Sequence, residues 1–170
     1  VTSYGRREIG PVNGLSAFVQ LLEAVHAIDG LERLRFAAPH PKGYGDDLIA
    51  AYGRLPKLCE SAHLPAQSGS NRILKLMHRG YTRERFCQII EKLRKVQPRI
   101  GVITDLIVGF PGETEADFEE TLSLVREVGF TVLRTDFLFL FPRWLRWLRF
   151  MEPWVEPLPL GAQYQVLGRK

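Results

Sequence analysis

Cysteine is scarce: the 170 residues hold two, Cys59 and Cys87, far apart and with no CxxC spacing. That excludes a disulfide framework and leaves neither a zinc site nor an iron-sulfur site to be expected within this chain. A reducing, cytoplasmic setting follows as the expectation, with both thiols acting as small buried apolar groups. Long apolar runs are missing as well. Nothing approaches the roughly 18 residues of a membrane span, so no membrane partner is expected. The opening, Val1-Thr-Ser-Tyr-Gly-Arg-Arg-Glu8, is neither a signal peptide nor a methionine start and reads as a truncated beginning. No HExxH, Walker phosphate loop, Rossmann glycine fingerprint or Ser/His/Asp order occurs, which leaves hydrolase and nucleoside-triphosphate readings without an anchor. A strong charge imbalance is missing too: 23 basic against 19 acidic residues is a mild excess that suits a polyanionic partner without requiring one.

What is present is the composition of a globular domain, 45% hydrophobic and 25% charged. Leu15, Phe18, Val19, Leu22, Val25 and Ile28 recur at helical spacing between Asn13 and Gly30. Residues 33 to 38 alternate polar and apolar before Pro39, and a helix follows from Asp46 through Tyr52. A second apolar segment over 58 to 64 leads to a helical run ending near Arg79 and a longer helix over 82 to 97. Residues 100 to 108 are nearly all apolar and β-branched, the pattern of a strand covered on both faces. Thr114-Glu-Ala-Asp117 is a variant capping box opening a helix that presents Phe118, Leu122 and Val125 on one side and stops at Gly129. Residues 130 to 141 form a fourth candidate strand. Strands alternating with helices imply right-handed crossovers and a parallel sheet, open or part of a barrel, so the fold class is α/β.

The end departs from that order. Arg143, Arg146 and Arg149 alternate with Trp144, Trp147 and Phe150 before a Pro-rich stretch. This is either a basic aromatic helix for nucleic acid or a membrane surface, or a sequence that has left its pattern through a frameshift or chimeric gene end. In the second case it leaves an aggregation-prone apolar patch.

Binding groups in parallel α/β folds collect on loops after the carboxyl ends of strands. Three such loops stand out: Ala38-Pro-His-Pro41, His63-Leu-Pro-Ala-Gln-Ser-Gly-Ser70, and Asp105-Leu-Ile-Val-Gly-Phe-Pro-Gly-Glu-Thr114. His63, Gln67, Ser68 and Ser70 offer an imidazole, an amide and hydroxyls suited to a polar small molecule, while Ser70 and Asn71 equally suit a helix cap. Gly109 and Gly112 admit turns or close approaches that a side chain would obstruct. Asp105 needs a partner if buried, from a ligand or from the protein. Arg79 either meets a carboxylate or is solvated. His40 is held between two prolines as a structural hydrogen-bonder before a catalyst. His26 and His78 fall on helices and are expected at the surface.

These motifs, with Ser3-Tyr4-Gly5, Leu31-Glu-Arg-Leu-Arg-Phe-Ala-Ala-Pro-His-Pro41 and Ile73-Leu-Lys-Leu-Met-His-Arg79, resemble the radical S-adenosylmethionine (SAM) methylthiotransferases over about residues 1 to 130. His-Leu-Pro-x-Gln-Ser-Gly-Ser resembles most the branch that modifies N6-isopentenyladenosine in tRNA, ahead of those acting on threonylcarbamoyl-adenosine or a ribosomal-protein aspartate. The resemblance implies the second half of a parallel (β/α) barrel of the radical SAM type, incomplete in this chain, over residues 1–143, with a divergent tail over 144–170, frameshifted or disordered. It implies SAM and 4Fe-4S clusters as cofactors, tRNA as partner, no DNA, and a monomer at full length. In the family a CxxxCxxC triad holds the cluster that cleaves SAM to a 5′-deoxyadenosyl radical, a second cluster donates sulfur, and a methylthio group enters C2 of the adenosine beside the anticodon. Those ligands and the family's TRAM domain are not in this sequence, so the isolated chain is expected to be inactive. Carried over by resemblance, Gln67, Ser68 and His63 lie on the SAM-binding rim. Asp105, Ile107 and Gly109 lie beside adenine and ribose, and Arg79 lies near the SAM carboxylate or the substrate. The alternatives are a non-catalytic SAM- or RNA-binding remnant and a methylthiotransferase acting on threonylcarbamoyl-adenosine.

Overall fold

The computed structural model describes residues 2–5, 7–37, 39–138 and 163–169. The chain divides into two compact units, Val1–Val128 and Gly129–Lys170.

In the first unit the helices form where apolar spacing and caps agree. Helix α1 (Ala17–His26) buries Phe18, Val19 and Leu22. After a single 3-10 turn over Pro41–Gly43, α2 (Asp46–Arg54) starts with Asp46 and Asp47, carboxylates suited to the positive end of the helix. Helix α3 (Asn71–Leu76) is short, and α4 (Arg83–Val96) follows with Thr82 capping the Arg85 amide. Phe86, Ile89, Ile90 and Leu93 of α4 are almost fully buried and form the centre of the core with Leu48, Leu64, Ile73 and Leu74. Each such side chain contributes about 1.5–3 kcal/mol from burial. Helix α5 (Glu115–Val128) opens on the expected capping box: the Thr114 amide donates to Asp117 Oδ2 at 2.9 Å and the Asp117 amide to Thr114 Oγ1 at 3.4 Å. Its buried face runs through Asp117, Thr121, Leu124 and Val128, rotated from the expected Phe118, Leu122 and Val125, which are half-buried. The rotation has a polar cause, because Asp117 and Thr121 bond the loop that precedes α3.

Strands β1 (Ser61–His63) and β2 (Gly101–Ile103) pair in parallel, Ala62 opposite Val102. The isolated parallel bridge of Gln67 with Leu106 prolongs this pairing, while that of Leu34 with Leu58 sets a third segment beside the residues that precede β1. The α/β class with a parallel sheet is therefore present. The strand expected over 33 to 38 is reduced to the bridge at Leu34, and Ala38 lies outside the described residues. The strand over 100 to 108 is shorter than expected and is not covered on both faces: Ile103, Ile107 and Val108 are exposed. Among the described residues β2 has one strand neighbour, so its outer edge and one face lack the packing that an apolar run normally finds.

In the second unit β3 (Thr131–Leu138) pairs antiparallel with β4 (Gln163–Arg169), with an irregularity between Val132 and Arg134. The fourth candidate strand thus exists through Leu138, but its partner is a segment of the tail. Residues 139 to 162, with the Trp/Arg stretch, lie outside the described residues.

Candidate functional site

The carboxyl ends of β1 and β2 are stitched beyond their strands. The Leu64 amide donates to the Ile103 carbonyl, Gln67 to Asp105 and Ile107 to Gln67, each at 2.8 Å, and Ala66 donates to Thr104 Oγ1 at 2.9 Å. These bonds hold Gln67 in the left-handed region at φ 66°, a conformation a non-glycine residue adopts only when its surroundings impose it. From below, the buried Tyr81 hydroxyl donates to the Ala66 and Pro65 carbonyls at 2.9 and 3.1 Å. Burial pushes that phenol up to about 12.

The first and second loops meet through Tyr81, whose ring lies edge-on to His40 at 5.2 Å. His40 Nδ1 accepts from the Lys42 amide at 3.2 Å, which fixes the structural role expected of it. Partial burial, with Lys42 and then Arg79 nearby, holds the imidazole below its ordinary value. Arg79 is half-buried; its Nη2 donates to Gln67 Oε1 at 3.3 Å, while its Nε is buried without a partner.

Asp105 is not buried within a strand as its setting in the sequence implied: its side chain is 59% exposed and sits 2.9 Å from His63 Nε2. In the third loop Gly109 and Gly112 both have positive φ, 72° and 84°, with open space where a side chain would stand, so glycine serves the turn here rather than a close approach. Glu113 closes that turn, its Oε2 accepting from the Gly109 and Phe110 amides while Oε1 is buried without a partner.

Five of the seven candidates, His63, Gln67, Arg79, Asp105 and Ile107, therefore lie along one rim, with Gly109 in the turn of the third loop that Glu113 closes. Ser68 does not face it. Its side chain is buried against α5, with Oγ 3.3 Å from Thr121 Oγ1 and accepting from the Ser70 amide. Ser70 likewise does not cap α3 but donates to Asp117 Oδ1 at 2.7 Å. Gly69 between them passes so close to α5 that a Cβ would lie 2.5 Å from the Glu120 carbonyl oxygen and Thr121 Cα, and its amide donates to Thr121 Oγ1 at 2.9 Å. Asp117 gathers this seam: it pairs with Arg72, which also donates to the Gly112 carbonyl at 2.6 Å. Those bonds, Arg72 first and then Thr114 and Ser70, hold the Asp117 carboxyl well below the usual range. Sequence reading missed the roles of Asp117 and Thr121 beyond the cap; a carboxylate and a hydroxyl four residues apart on one helix side were the available signal. It also missed Tyr81 and Lys42, which no local pattern marks.

Cys59 and Cys87 are free and half-buried rather than core residues. Burial first, then Glu127, pushes the Cys87 thiol up to about 11, so it is not thiolate-like. Among the described residues no group of three or more His, Cys, Asp or Glu could hold a metal. No helix among them is long and apolar enough to cross a membrane.

A parallel α/β unit with polar loops gathered at the carboxyl ends of its strands defines the class of α/β ligand-binding and catalytic domains. The chain belongs to the radical SAM superfamily, whose family model matches residues 10–125. It is similar to the tRNA-2-methylthio-N(6)-dimethylallyladenosine synthase of Opitutus terrae, 64% identical over 124 residues, 73% of this chain and 26% of that protein. It is also similar to those of Methylacidiphilum infernorum and Moorella thermoacetica, each 53% identical over 130 residues, 76% of this chain and 28% of the relative. The chain spans about a quarter of the length of these curated relatives.

Proposed function

We propose that this chain is part of a methylthiotransferase that adds a methylthio group to N6-dimethylallyladenosine (isopentenyladenosine) in tRNA, and that the rim of the first unit contributes to holding SAM. The observation that carries the ligand reading is Gln67, kept in a left-handed conformation by three backbone connections and presented beside Arg79, whose Nε is buried without a partner. Strain maintained at a loop over the sheet ends is spent on a ligand more readily than on packing. The side chains fit SAM: Arg79 and Gln67 for its carboxylate, the half-buried His63 with the exposed Asp105 for ribose hydroxyls, and Ile107 with the Gly109 turn for the flat face of adenine. Ser68 acts through the loop it anchors to α5. When bound, SAM supplies the methyl group and the radical.

The residues here do not fit a 4Fe-4S cluster. Two half-buried cysteines cannot provide three thiolates, and Cys87 is held in its neutral form. The cluster ligands are therefore assigned to a longer polypeptide of which these residues form a segment, with tRNA as the partner of that whole. Completion of a barrel belongs to the same proposal.

The test is a graft. Residues 10–125 replace the aligned segment of the Opitutus terrae relative, and the graft is expressed in cells lacking their own enzyme. Mass spectrometry of tRNA nucleosides is expected to show the 2-methylthio derivative. A graft that accumulates at normal levels, binds SAM and yields none contradicts the proposal.

A further inference from the structure

Helix α3 ends in a backbone shape that favours glycine, and a histidine stands there. The His78 amide donates to the Lys75 carbonyl and the Arg79 amide to the Leu74 carbonyl, each at 3.0 Å. This pair of bonds is the Schellman closure, in which the first residue past the helix turns left-handed, and His78 does so at φ 54°. Both bonds are made by backbone, so the turn needs nothing of the imidazole. Two residues on, Gly80 is left-handed as well, at φ 64°, and the Lys42 side chain fills the space that a Cβ would take. Glycine is thus required at 80 and is the less strained choice at 78. A side chain kept at 78 against that preference points to a use outside the fold.

The surroundings of His78 suit a nucleic acid. His78 is exposed, and on the last turn of α3 beside it Lys75 is exposed and Leu76 is 46% exposed. Among the described residues Lys75 has no ion-pair partner and the His78 ring no hydrogen-bond partner. Residues 71 to 82 lead from the loop after β1 to the start of α4, and Arg79, next to His78, donates to Gln67 on the rim. The turn therefore borders the rim on the carboxyl side of the sheet. A cation for a phosphate, a flat imidazole for a base face and an apolar side chain between them form the set by which proteins hold unpaired nucleotides. An acidic peptide would engage Lys75 alone and leave the ring unused. We infer that the turn over 75 to 78 is a contact surface for single-stranded RNA, with the His78 imidazole stacking on a base and Lys75 facing a backbone phosphate. The inference rests on the reading of tRNA as the partner, but it uses none of the side chains assigned to SAM.

The probe is a fluorescein-labelled RNA hairpin with an unpaired adenosine loop, titrated without SAM into the full 170-residue chain and followed by anisotropy, with an RNA duplex of equal length for comparison. The hairpin is expected to bind more tightly than the duplex. His78→Asn, which tolerates the left-handed turn but carries no ring, is expected to weaken hairpin binding about five- to tenfold and to leave duplex binding unchanged. Lys75→Gln is expected to weaken both and to lower the slope of log affinity against log salt by about 0.7–1. His78→Gly examines a purely structural role for the ring: its thermal midpoint is expected to stay level or rise, because glycine relieves the left-handed backbone. Hairpin affinity unchanged in His78→Asn, a hairpin bound no better than the duplex, or a midpoint lowered in His78→Gly overturns the surface. A chain that binds the hairpin through His78 and takes up no SAM contradicts the SAM reading and supports this one. A chain that takes up SAM and shows no effect of His78 does the reverse.

Discussion

Asp117 shows how one residue serves a helix end, a loop and a site at once. It completes the capping box of α5, receives Arg72 and Ser70 from the other side of the seam, and so joins the loop after β1 to the loop after β2. Because these partners depress its folded pKa, the stability it adds is present above the unfolded value of about 4 and is lost as pH falls through and below it. Acid titration of wild type and Asp117→Asn by circular dichroism is expected to show the variant less stable at neutral pH, with the difference shrinking below about pH 4. A difference that grows toward low pH contradicts the assignment. Gly69→Ala tests the neighbouring contact. The added methyl meets backbone of α5 that cannot rotate away, so a loss of about 1–3 kcal/mol in thermal or denaturant unfolding is expected. Neither role was legible as such. The capping box at Thr114 and Asp117 was, since it is local in sequence, but Ser70 reaches Asp117 across 47 positions and no local rule reveals that.

At the scale of elements, the helices were legible and the strands only as an order. Helical spacing and stop residues located α1, α2, α4 and α5 within a few positions because each helix satisfies its own backbone and shows its core face in sequence. A strand's length depends on its neighbours. The apolar run over 100 to 108 announces burial on both sides, yet β2 spans Gly101–Ile103 with one partner, and Ile103, Ile107 and Val108 are exposed. The stability of the first unit is accordingly carried by α4. Leu93→Ala is expected to cost about 2–5 kcal/mol. Ile107→Ala, at an exposed position, is expected to change stability by less than about 0.5 kcal/mol. Equal losses in the two variants, measured by urea unfolding, contradict this division between core and rim.

For the whole molecule, membership of the radical SAM superfamily and similarity to tRNA-2-methylthio-N(6)-dimethylallyladenosine synthases meet a chain with two cysteines and about a quarter of those relatives' length. The resemblance was legible because the motifs of the three loops are contiguous. The division at Gly129 and the pairing of β3 with β4 were not, since β4 lies in a stretch with no recognisable pattern. Anaerobic reconstitution with iron and sulfide is expected to leave the chain without cluster absorbance, whereas a stable cluster signal contradicts the assignment of its ligands to a longer polypeptide. The central claim is that the loops over the ends of β1 and β2 hold SAM, and isothermal calorimetry of SAM against the 170-residue chain tests it most directly. Saturable binding at one site, weakened at least about tenfold by Gln67→Ala with Asp105→Ala, is the expected result. A folded chain that takes up no SAM, or binds it equally well after both substitutions, contradicts the claim.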